Sequence, residues 1–260
     1  MTKPKALITG ASTGIGKTYA QKLAKRGYDL VLVARDKVRL DQLATELGKD
    51  GAAAEVLVAD LTRSGDVTRV EQKLESDGAI SFFLNNAGIA TVEPQLSTSV
   101  ETIEKLISLN VTAATRLALA AGRAFVARKS GTIVNMASAV AINPERFNAV
   151  YSGSKAYLLA LSQALTKELT QSGVIIQTVC PGAVRTEIWE RAGVDLDARI
   201  PAERIMDVDE LVDAALKGLE LGEKITIPSL PDAQDLADAE AARLKLAPNL
   251  SRNRAAARYR

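Results

Sequence analysis

Tyr151 and Lys155 offer acid–base chemistry in a chain of 260 residues that contains no histidine. On a helix, their spacing of four places both side chains on one face. An ammonium group beside a phenol favours the phenolate and lowers the tyrosine pKa from its usual value of about 10. The pair can therefore move a proton without an imidazole. A surface tyrosine and lysine on a helix would give the same pattern.

Ser138 adds a hydroxyl group close to this pair along the chain. It follows an apolar stretch, residues 131–136, that is predicted to be a strand. Open parallel sheets place their ligands at the carboxyl ends of the strands, so Ser138 and Tyr151 are expected to meet over one crevice. The alternative is a hydroxyl that only caps a turn. Asn110 lies inside a predicted helix, where asparagine is disfavoured, and is either exposed or a buried amide that holds backbone or water.

Residues 10–18, with the sequence GASTGIGKT, fit three motifs. The G-x-S-x-G pattern of hydrolases is present, but its catalytic triad requires a histidine. The end of a phosphate-binding P-loop is also present, but Ala11 stands where that motif has its first glycine. The spacing G-x-x-x-G-x-G fits a dinucleotide loop, in which a helix N-terminus binds the pyrophosphate. A plain glycine turn is the remaining alternative.

The end of the second predicted strand, residues 28–34, distinguishes two cofactors. An acidic residue at this point would bind the ribose hydroxyls of NAD. The chain has Arg35 there, followed closely by Lys37 and Arg39. Because a guanidinium suits a phosphate, NADP(H) is expected and NAD is the less favoured cofactor. Asp36 either weakens this preference or serves as a helix N-cap.

Alternating strands and helices must position these residues. Strands are predicted at residues 5–9, 28–34, 54–59, 81–85, 131–136, 174–179 and 224–227. Helices are predicted at about residues 14–26, 37–47, 65–75, 99–128, 149–171 and 208–221, with a further helix after residue 231. The pattern predicts one doubly wound α/β domain with a seven-stranded parallel sheet flanked by helices.

Composition excludes several classes of protein. With Cys180 as the only cysteine and no histidine, neither a disulfide nor a common zinc site can form within the chain, and no metal is expected. Acidic and basic residues are mixed and the net charge is +2, so no nucleic-acid partner is expected. No apolar run approaches the roughly 18 residues of a membrane helix. A cytoplasmic protein without a membrane partner is expected.

Taken together, the ordered motifs resemble the short-chain dehydrogenase/reductase family, in its compact, single-domain, NADP-preferring form. The resemblance spans about residues 5–190 and rests on residues 9–16 (TGASTGIG), Asp60, residues 85–88 (NNAG), Asn110, Ser138, Tyr151 with Lys155, and Pro181-Gly182 with Thr186. It implies a Rossmann-type NADP-dependent oxidoreductase that acts on the CH–OH or C=O group of a small molecule. It also implies a homodimer or homotetramer.

The resemblance further implies a role for each matching residue. Tyr151 would be the general acid in carbonyl reduction and the base in alcohol oxidation, and Ser138 would hydrogen-bond the substrate oxygen. Lys155 would lower the Tyr151 pKa and bind the nicotinamide ribose, and Asn110 would hold a proton-relay water. Cofactor-binding positions would be Gly10, Ser12, Thr13, Gly14, Ile15, Gly16, Arg35, Asp60, Leu61, Asn86, Ala87, Gly88, Tyr151, Lys155, Pro181, Gly182, Val184 and Thr186.

Residues 1–230 are expected to form the oxidoreductase domain, with residues 231–260 as a C-terminal helix and basic tail of that domain. Substrate choice is expected to lie in a loop at about residues 187–206, where Trp189 and its apolar neighbours would form a wall, and in residues 139–150. The sequence does not select one substrate. Two alternatives stay open: a P-loop-like nucleotide-binding protein, and a non-catalytic relative that retains the cofactor pocket.

Overall fold

The computed structural model describes residues 3–260, apart from the side chain of Arg146. The chain divides into two units, Met1–Pro228 and Ser229–Arg260. The first unit contains all of the strands in the described residues. That the two units form one domain stays a prediction.

The first unit is built on a seven-stranded parallel sheet, which confirms the predicted fold class. Its strands are β1 (Lys5–Thr9), β2 (Asp29–Ala34), β3 (Ala54–Val58), β4 (Ile80–Asn85), β5 (Gly131–Met136), β6 (Val174–Val179) and β9 (Ile225–Thr226). They lie in the order β3-β2-β1-β4-β5-β6-β9. The order reverses beside β1, so the carboxyl ends of β1 and β4 border the crevice in which such sheets bind ligands.

Two very short strands were not predicted. They are β7 (Ala183–Val184) and β8 (Ile205–Met206), and they pair in parallel as a separate sheet. This pairing closes the loop predicted to choose the substrate, because β7 enters that loop and β8 leaves it. Two residues per strand leave no alternating pattern in the sequence from which a strand can be predicted.

The helices of the first unit match the predicted segments, with two exceptions. They are α1 (Gly14–Lys25), α2 (Lys37–Lys49), α3 (Ser64–Ser76), α4 (Val100–Leu106), α5 (Ala114–Arg128), α6 (Ala149–Gln171), α7 (Ile188–Arg191), α8 (Leu196–Arg199) and α9 (Val208–Glu220). The first exception is the pair of one-turn helices α7 and α8 inside the substrate loop. The second lies between α4 and α5.

The helix predicted over residues 99–128 is interrupted by a π-helical segment, Ile107–Ala113. In a π-helix each N–H bonds five residues back instead of four, so the segment accommodates extra backbone within a helix. Such segments occur mostly at functional sites. Asn110 lies in the middle of this π-helical segment and is buried, with a relative exposure of 2%.

Two aliphatic layers cover the faces of the sheet. On one face α1, α2 and α9 contribute the buried side chains Tyr19, Leu23, Leu40, Leu43, Leu47, Leu211 and Leu216. On the other face α3 and α5 contribute Val67, Val70, Leu74, Leu117, Ala121 and Phe125. Because both faces are covered, the strands read as continuous apolar runs, as observed in the sequence.

A buried polar network joins the middle of the sheet to α6. The side-chain amide of Asn85 donates to the carbonyl of Ala114 and to Oδ1 of Asn135, both at 2.9 Å. Nδ2 of Asn135 in turn donates to Oγ of Ser162 on α6 at 2.9 Å. Buried polar groups are stable only when they are paired, so this network fixes the position of α6 relative to β4 and β5.

The second unit consists of α10 (Ala233–Lys245) and two short 3₁₀ turns, Ala247–Asn249 and Ala257–Tyr259. Several of its apolar side chains are exposed: Leu244, Leu246, Leu250 and Tyr259. Among the described residues of the whole chain, no helix combines the length and apolar character needed to cross a membrane.

We predict that Asn135→Leu lowers the free energy of unfolding by about 2 kcal/mol, because it leaves an N–H of Asn85 and the hydroxyl of Ser162 with fewer buried partners. Chemical denaturation monitored by circular dichroism measures this loss. Ser130→Ala, at an exposed position next to the same strand, is the control and should change the stability little. Equal stabilities for the two variants would contradict the role of the network.

Candidate active site

The glycine loop connects β1 to α1 at the carboxyl edge of the sheet. The backbone N–H of Gly10 donates to the carbonyl of Val33 at 2.8 Å, which extends the pairing of β1 with β2 up to the start of the loop. Gly10 has φ of +69°, a conformation that favours glycine. The turn directs the N-terminus of α1, with its free N–H groups, toward the crevice.

Close packing explains the other essential glycine of the loop. A Cβ added at Gly16 would collide with the carbonyl of Gly10 and would lie 2.8 Å from Nδ2 of Asn86. Only a residue without a side chain therefore allows the first turn of α1 to pack against the loop. The result is a backbone cradle of the kind that binds a pyrophosphate at a helix N-terminus.

Thr9 ties this loop to the strand beside it. Its Oγ1 accepts hydrogen bonds from the backbone N–H of Asn86 at 2.9 Å and of Ala87 at 3.0 Å. The side-chain amide of Asn86 donates to the carbonyl of Thr9 at 2.9 Å. These bonds hold the segment that follows β4 alongside the glycine loop, so the two segments form the walls of one crevice.

The crevice has a volume of about 470 Å³. It is lined by twelve of the predicted cofactor-binding residues: Gly10, Ser12, Thr13, Gly14, Ile15, Arg35, Asp60, Leu61, Asn86, Ala87, Gly88 and Thr186. The remaining six predicted positions are Gly16, Tyr151, Lys155, Pro181, Gly182 and Val184, and they do not line it. Gly16 packs beneath the cradle instead, and the other five lie in or beside the catalytic group described below.

Sequence reasoning missed several residues that line the same crevice. They include Ile89, Ala90, Lys105, Leu109, Glu187 and Arg191. Ile89 and Ala90 directly follow the NNAG motif, so extending the motif by two residues would have found them. Leu109 and Glu187 adjoin the predicted residues Asn110 and Thr186 in the same way. Lys105 and Arg191 lie further from any motif, and only the tertiary structure brings them to the crevice.

Three cations follow β2, and the structure gives them different environments. Lys37 pairs with Asp41 at 2.6 Å, and Arg39 pairs with Glu187 at 2.6 Å. Arg35 lines the crevice and forms no ion pair within 4 Å among the described residues. Asp36 accepts a hydrogen bond from the backbone N–H of Arg39 and is the N-cap of α2, as one of the two interpretations of that residue predicts.

Asp60 lies across the crevice from the glycine loop. Burial raises its pKa, but hydrogen bonds from the hydroxyl and the backbone N–H of Thr62, together with the positive charge of Arg35, outweigh burial and hold the pKa below its usual value. Asp60 is therefore ionised at neutral pH. An ionised carboxylate and an unpaired guanidinium thus face the same end of the crevice.

Glu187 joins three elements around the mouth of the crevice. Its carboxylate pairs with Arg39 of α2 at 2.6 Å and with Arg191 of α7 at 2.9 Å. The Arg191 guanidinium also donates to Oγ1 of Thr13 in the glycine loop at 3.3 Å. The hydrogen bond from Arg39, and the charges of both arginines, lower the pKa of Glu187. The substrate loop is thereby fastened to the cofactor side of the site.

Ser138, Tyr151 and Lys155 meet at the carboxyl edge of the sheet, outside the lining of the crevice. Ser138 follows β5, is largely buried, and forms a hydrogen bond with the Tyr151 hydroxyl. Nζ of Lys155 donates to the carbonyl of Met136 at 2.8 Å and lies 5.8 Å from the centre of the Tyr151 ring. The three side chains predicted to form a catalytic group are thus brought together.

The pKa values of this group differ from the expectation at one residue. Burial raises the pKa of Tyr151 to about 12, partly opposed by the hydrogen bond with Ser138. The Tyr–Lys pairing predicts a lowered pKa, so the direction is the opposite of the expected one. Burial also lowers the pKa of Lys155 to about 8, which still leaves the ammonium group mostly charged at neutral pH.

The Asn110 side chain is bound by backbone and side-chain groups of the protein, and its expected role of holding a water stays a prediction. Its Oδ1 accepts from the backbone N–H of Ile89 at 3.0 Å, and its Nδ2 donates to the carbonyl of Ile89 at 2.8 Å and to Oγ of Ser154 at 3.2 Å. The side chain therefore clamps the segment after the NNAG motif and links it to α6. Of the two interpretations, the buried amide that holds backbone is the one observed.

The Pro181-Gly182 turn lies beside Ser138. The carbonyl of Pro181 accepts from the backbone N–H of Ala139 at 2.8 Å and from the Ser138 hydroxyl at 3.4 Å. Val184 lies in β7, and its carbonyl accepts from Nε1 of Trp189 at 2.9 Å. Thr186 comes close to Gly14, so it faces the glycine loop across the crevice.

The geometry does not fit the P-loop interpretation. Lys17 would have to reach the phosphates, but its Nζ pairs with Glu46 of α2 at 3.3 Å and the residue does not line the crevice. Thr18, the expected magnesium ligand, is buried. Among the described residues, no group of three acidic or thiol side chains is arranged to hold a metal ion.

Known proteins that are similar to this chain include dehydrogenases and reductases. The sequence profile of the family described as short chain dehydrogenase matches residues 4–196. A very-long-chain 3-oxoacyl-CoA reductase of Anas platyrhynchos is 34% identical over 202 residues, which cover 75% of this chain and 64% of that protein. The match thus spans less than two thirds of that relative.

Two solved structures cover nearly the whole chain. A short-chain dehydrogenase from Sphingobium yanoikuyae, in complex with NADPH, is 49% identical, covers 98% of this chain and all of its own, and superposes with a TM-score of 0.94. The bulky-bulky ketone specific alcohol dehydrogenase from Comamonas testosteroni is 41% identical, covers 100% of this chain and 99% of its own, and gives a TM-score of 0.91. With the crevice, the Ser138–Tyr151–Lys155 group and these matches in agreement, the chain belongs to the short-chain dehydrogenase family of oxidoreductases.

Proposed function

We propose that this protein is an NADP(H)-dependent oxidoreductase that interconverts a ketone and an alcohol, with Tyr151 as the proton donor and acceptor. The observation that carries the proposal is the convergence of Ser138, Tyr151 and Lys155 at the carboxyl edge of the sheet, beside the crevice that the glycine loop lines. A hydroxyl, a phenol and an ammonium group at such an edge suit acid–base chemistry on an oxygen-bearing carbon.

The residues of the crevice fit a dinucleotide phosphate. The backbone cradle at Gly10 and Gly16, where side chains would collide, leaves room for a pyrophosphate at the N-terminus of α1. Arg35 would hold the 2′-phosphate, and Asp60 would lie near the adenine. When bound, the nicotinamide supplies or accepts the hydride, which the protein itself cannot do.

The protein's own groups handle the proton and the charge. During reduction of a ketone, negative charge develops on its oxygen, and the hydroxyls of Ser138 and Tyr151 donate hydrogen bonds to it. A Tyr151 pKa of about 12 keeps the phenol protonated at neutral pH, as a general acid requires before the reaction. Lys155 places a positive charge behind the phenol that stabilises the tyrosinate formed when the proton leaves.

An aromatic wall beside Tyr151 points to apolar ketones as substrates. The Phe147 ring packs edge-to-face against Tyr151 at 5.2 Å between centroids, and against Trp189 of the substrate loop at 6.1 Å. Both rings are only partly buried, so they present apolar surface next to the reacting group. The similar enzyme from Comamonas testosteroni is described as specific for bulky-bulky ketones, which agrees with a ketone that carries large apolar substituents.

We also propose the cellular setting that the sequence suggests. The chain acts in the cytoplasm as a homodimer or homotetramer, with a small-molecule substrate and no nucleic-acid or membrane partner. A single buried cysteine, Cys180, agrees with a reducing compartment. Residues 231–260 form a helix and basic tail that belong to the same domain as residues 1–230.

We predict that Tyr151→Phe lowers kcat for ketone reduction with NADPH by at least about 100-fold, because proton donation by a positioned side chain contributes that much. Loss of NADPH absorbance with a panel of apolar ketones measures the rate. Tyr157→Phe, a more exposed tyrosine on the same helix, is the matched control and should retain activity. An unchanged rate in Tyr151→Phe would refute Tyr151 as the proton donor, and a wild-type protein without activity on any ketone would favour the non-catalytic alternative.

We predict that Arg35→Ala weakens NADPH binding by about 10-fold or more, since a hydrogen bond to a charged group contributes about 1.5–3 kcal/mol. NADH binding should change little because NADH has no 2′-phosphate. Fluorescence titration of the two cofactors measures both dissociation constants. Lys37→Ala, which removes a cation paired with Asp41, is the control. Equal weakening for NADPH and NADH would refute the phosphate contact.

We predict that Phe147→Ala and Trp189→Ala raise KM for a diaryl ketone by about 10-fold, the effect of removing part of an apolar pocket. KM for a small ketone such as acetone should change much less. The ratio of the two kcat/KM values is the measurement. A parallel loss for both ketones would show that the two rings only support the fold of the loop.

A further inference from the structure

Asn148 is a buried polar residue at the start of α6 that neither the motifs nor the crevice accounts for. It is the N-cap of that helix, and its relative exposure is 5%. Its Oδ1 accepts hydrogen bonds from the backbone N–H of Val150 at 3.0 Å and of Tyr151 at 3.2 Å. The side chain thus binds directly to the backbone of the proton donor.

The other half of the Asn148 amide is bound to a different part of the chain. Its Nδ2 donates to the carbonyl of Glu93 at 2.9 Å and to Oγ1 of Thr98 at 3.1 Å. Thr98 is itself held by the carbonyl of Pro94 at 3.1 Å. The Asn148 side chain thus accepts two hydrogen bonds and donates two at once, so the orientation of its amide is fixed on both sides.

This arrangement exceeds what an N-cap requires. Serine or aspartate would also accept from the helix N–H groups, but neither could donate two hydrogen bonds to the segment at residues 93–98. The carboxamide is therefore matched to two tasks: capping α6 and anchoring its first turn. Tyr151 lies in that first turn, three residues after Asn148, so a shift of the turn would move the phenol relative to Ser138.

We propose that Asn148 is a positioning residue for Tyr151, which it holds in register with Ser138 by fixing the first turn of α6 to the segment at residues 93–98. The proposal rests on the proposed function, in which Tyr151 is the proton donor. Asn148 has no contact with the crevice, so its effect falls on the proton-transfer step and leaves cofactor binding unchanged. Misplacement of a catalytic group by about 1 Å is sufficient to slow a reaction by about 100-fold.

The test compares Asn148→Ala with Asn148→Asp in ketone reduction with NADPH. Asn148→Ala is expected to lower kcat by about 10- to 100-fold, whereas the NADPH dissociation constant from fluorescence titration stays at the wild-type value. Asn148→Asp keeps both accepted hydrogen bonds, and so the cap of α6, but cannot donate to the segment at residues 93–98, so its kcat is expected to stay close to that of Asn148→Ala. Asp207→Ala, which removes the N-cap of α9, is the matched control: its Tm should fall by a few degrees, as in Asn148→Ala, with kcat unchanged.

Three outcomes overturn the proposal: a kcat in Asn148→Ala no lower than in Asp207→Ala, a parallel loss of NADPH affinity, or an Asn148→Asp variant that retains the wild-type kcat. If Asn148→Ala does not fold, Asn148→Gly replaces it, because glycine is tolerated at N-caps. Hydrogen exchange at the amides of Val150 and Tyr151 needs no turnover and should accelerate in the variant without the side chain. A wild-type protein that reduces no ketone would refute the proposed function, and this exchange measurement would still decide whether Asn148 holds Tyr151.

Discussion

The site depends on keeping one ammonium group buried. Nζ of Lys155 is enclosed beneath Tyr151, and the carbonyl of Met136 is the protein acceptor it reaches at 2.8 Å. Removing a charge from water is costly, and this cost lowers the pKa of the group to about 8. A Cβ added at Gly88 would lie 3.5 Å from Nζ and 3.2 Å from Oδ1 of Asn110, so the space between these two groups admits little more than the glycine.

Polar side chains help to hold α6 in the place that this burial requires. Asn85 and Asn135 connect the helix to the centre of the sheet through Ser162, and Asn110 connects it to the NNAG segment through Ser154. Such amides fix both distance and orientation, which an aliphatic contact does not. The apolar layers account for the stability of the fold, whereas this framework of amides accounts for the register of the phenol and the ammonium group. The stability of the fold and the placement of the reacting groups therefore depend on different residues.

The sequence was sufficient to predict the parallel sheet, most element bounds and the residues of the glycine loop, because apolar periodicity and glycine spacing are local signals. It was also sufficient to place Ser138 and Tyr151 at one edge, since strand ends converge in a parallel sheet. The Tyr151 pKa was predicted in the wrong direction, because spacing along a helix carries no information about burial. Arg191 was missed as a crevice residue, since its position depends on the fold of the substrate loop. The side-chain partners of Asn110 depend in the same way on a contact between distant segments.

The π-helical segment at Ile107–Ala113 has a consequence for how this chain can vary. An α-helix turns about 100° per residue, so the extra backbone in this segment sets α5 about one such step away from the direction that α4 alone would give it. A one-residue deletion between α4 and α5 would restore a regular α-helix without shortening any loop. It would also rotate Asn110 away from Ile89, or the whole of α5 away from the sheet. The number of residues between α4 and α5 is therefore constrained by the site. Insertions or deletions are expected to be tolerated better elsewhere in the chain.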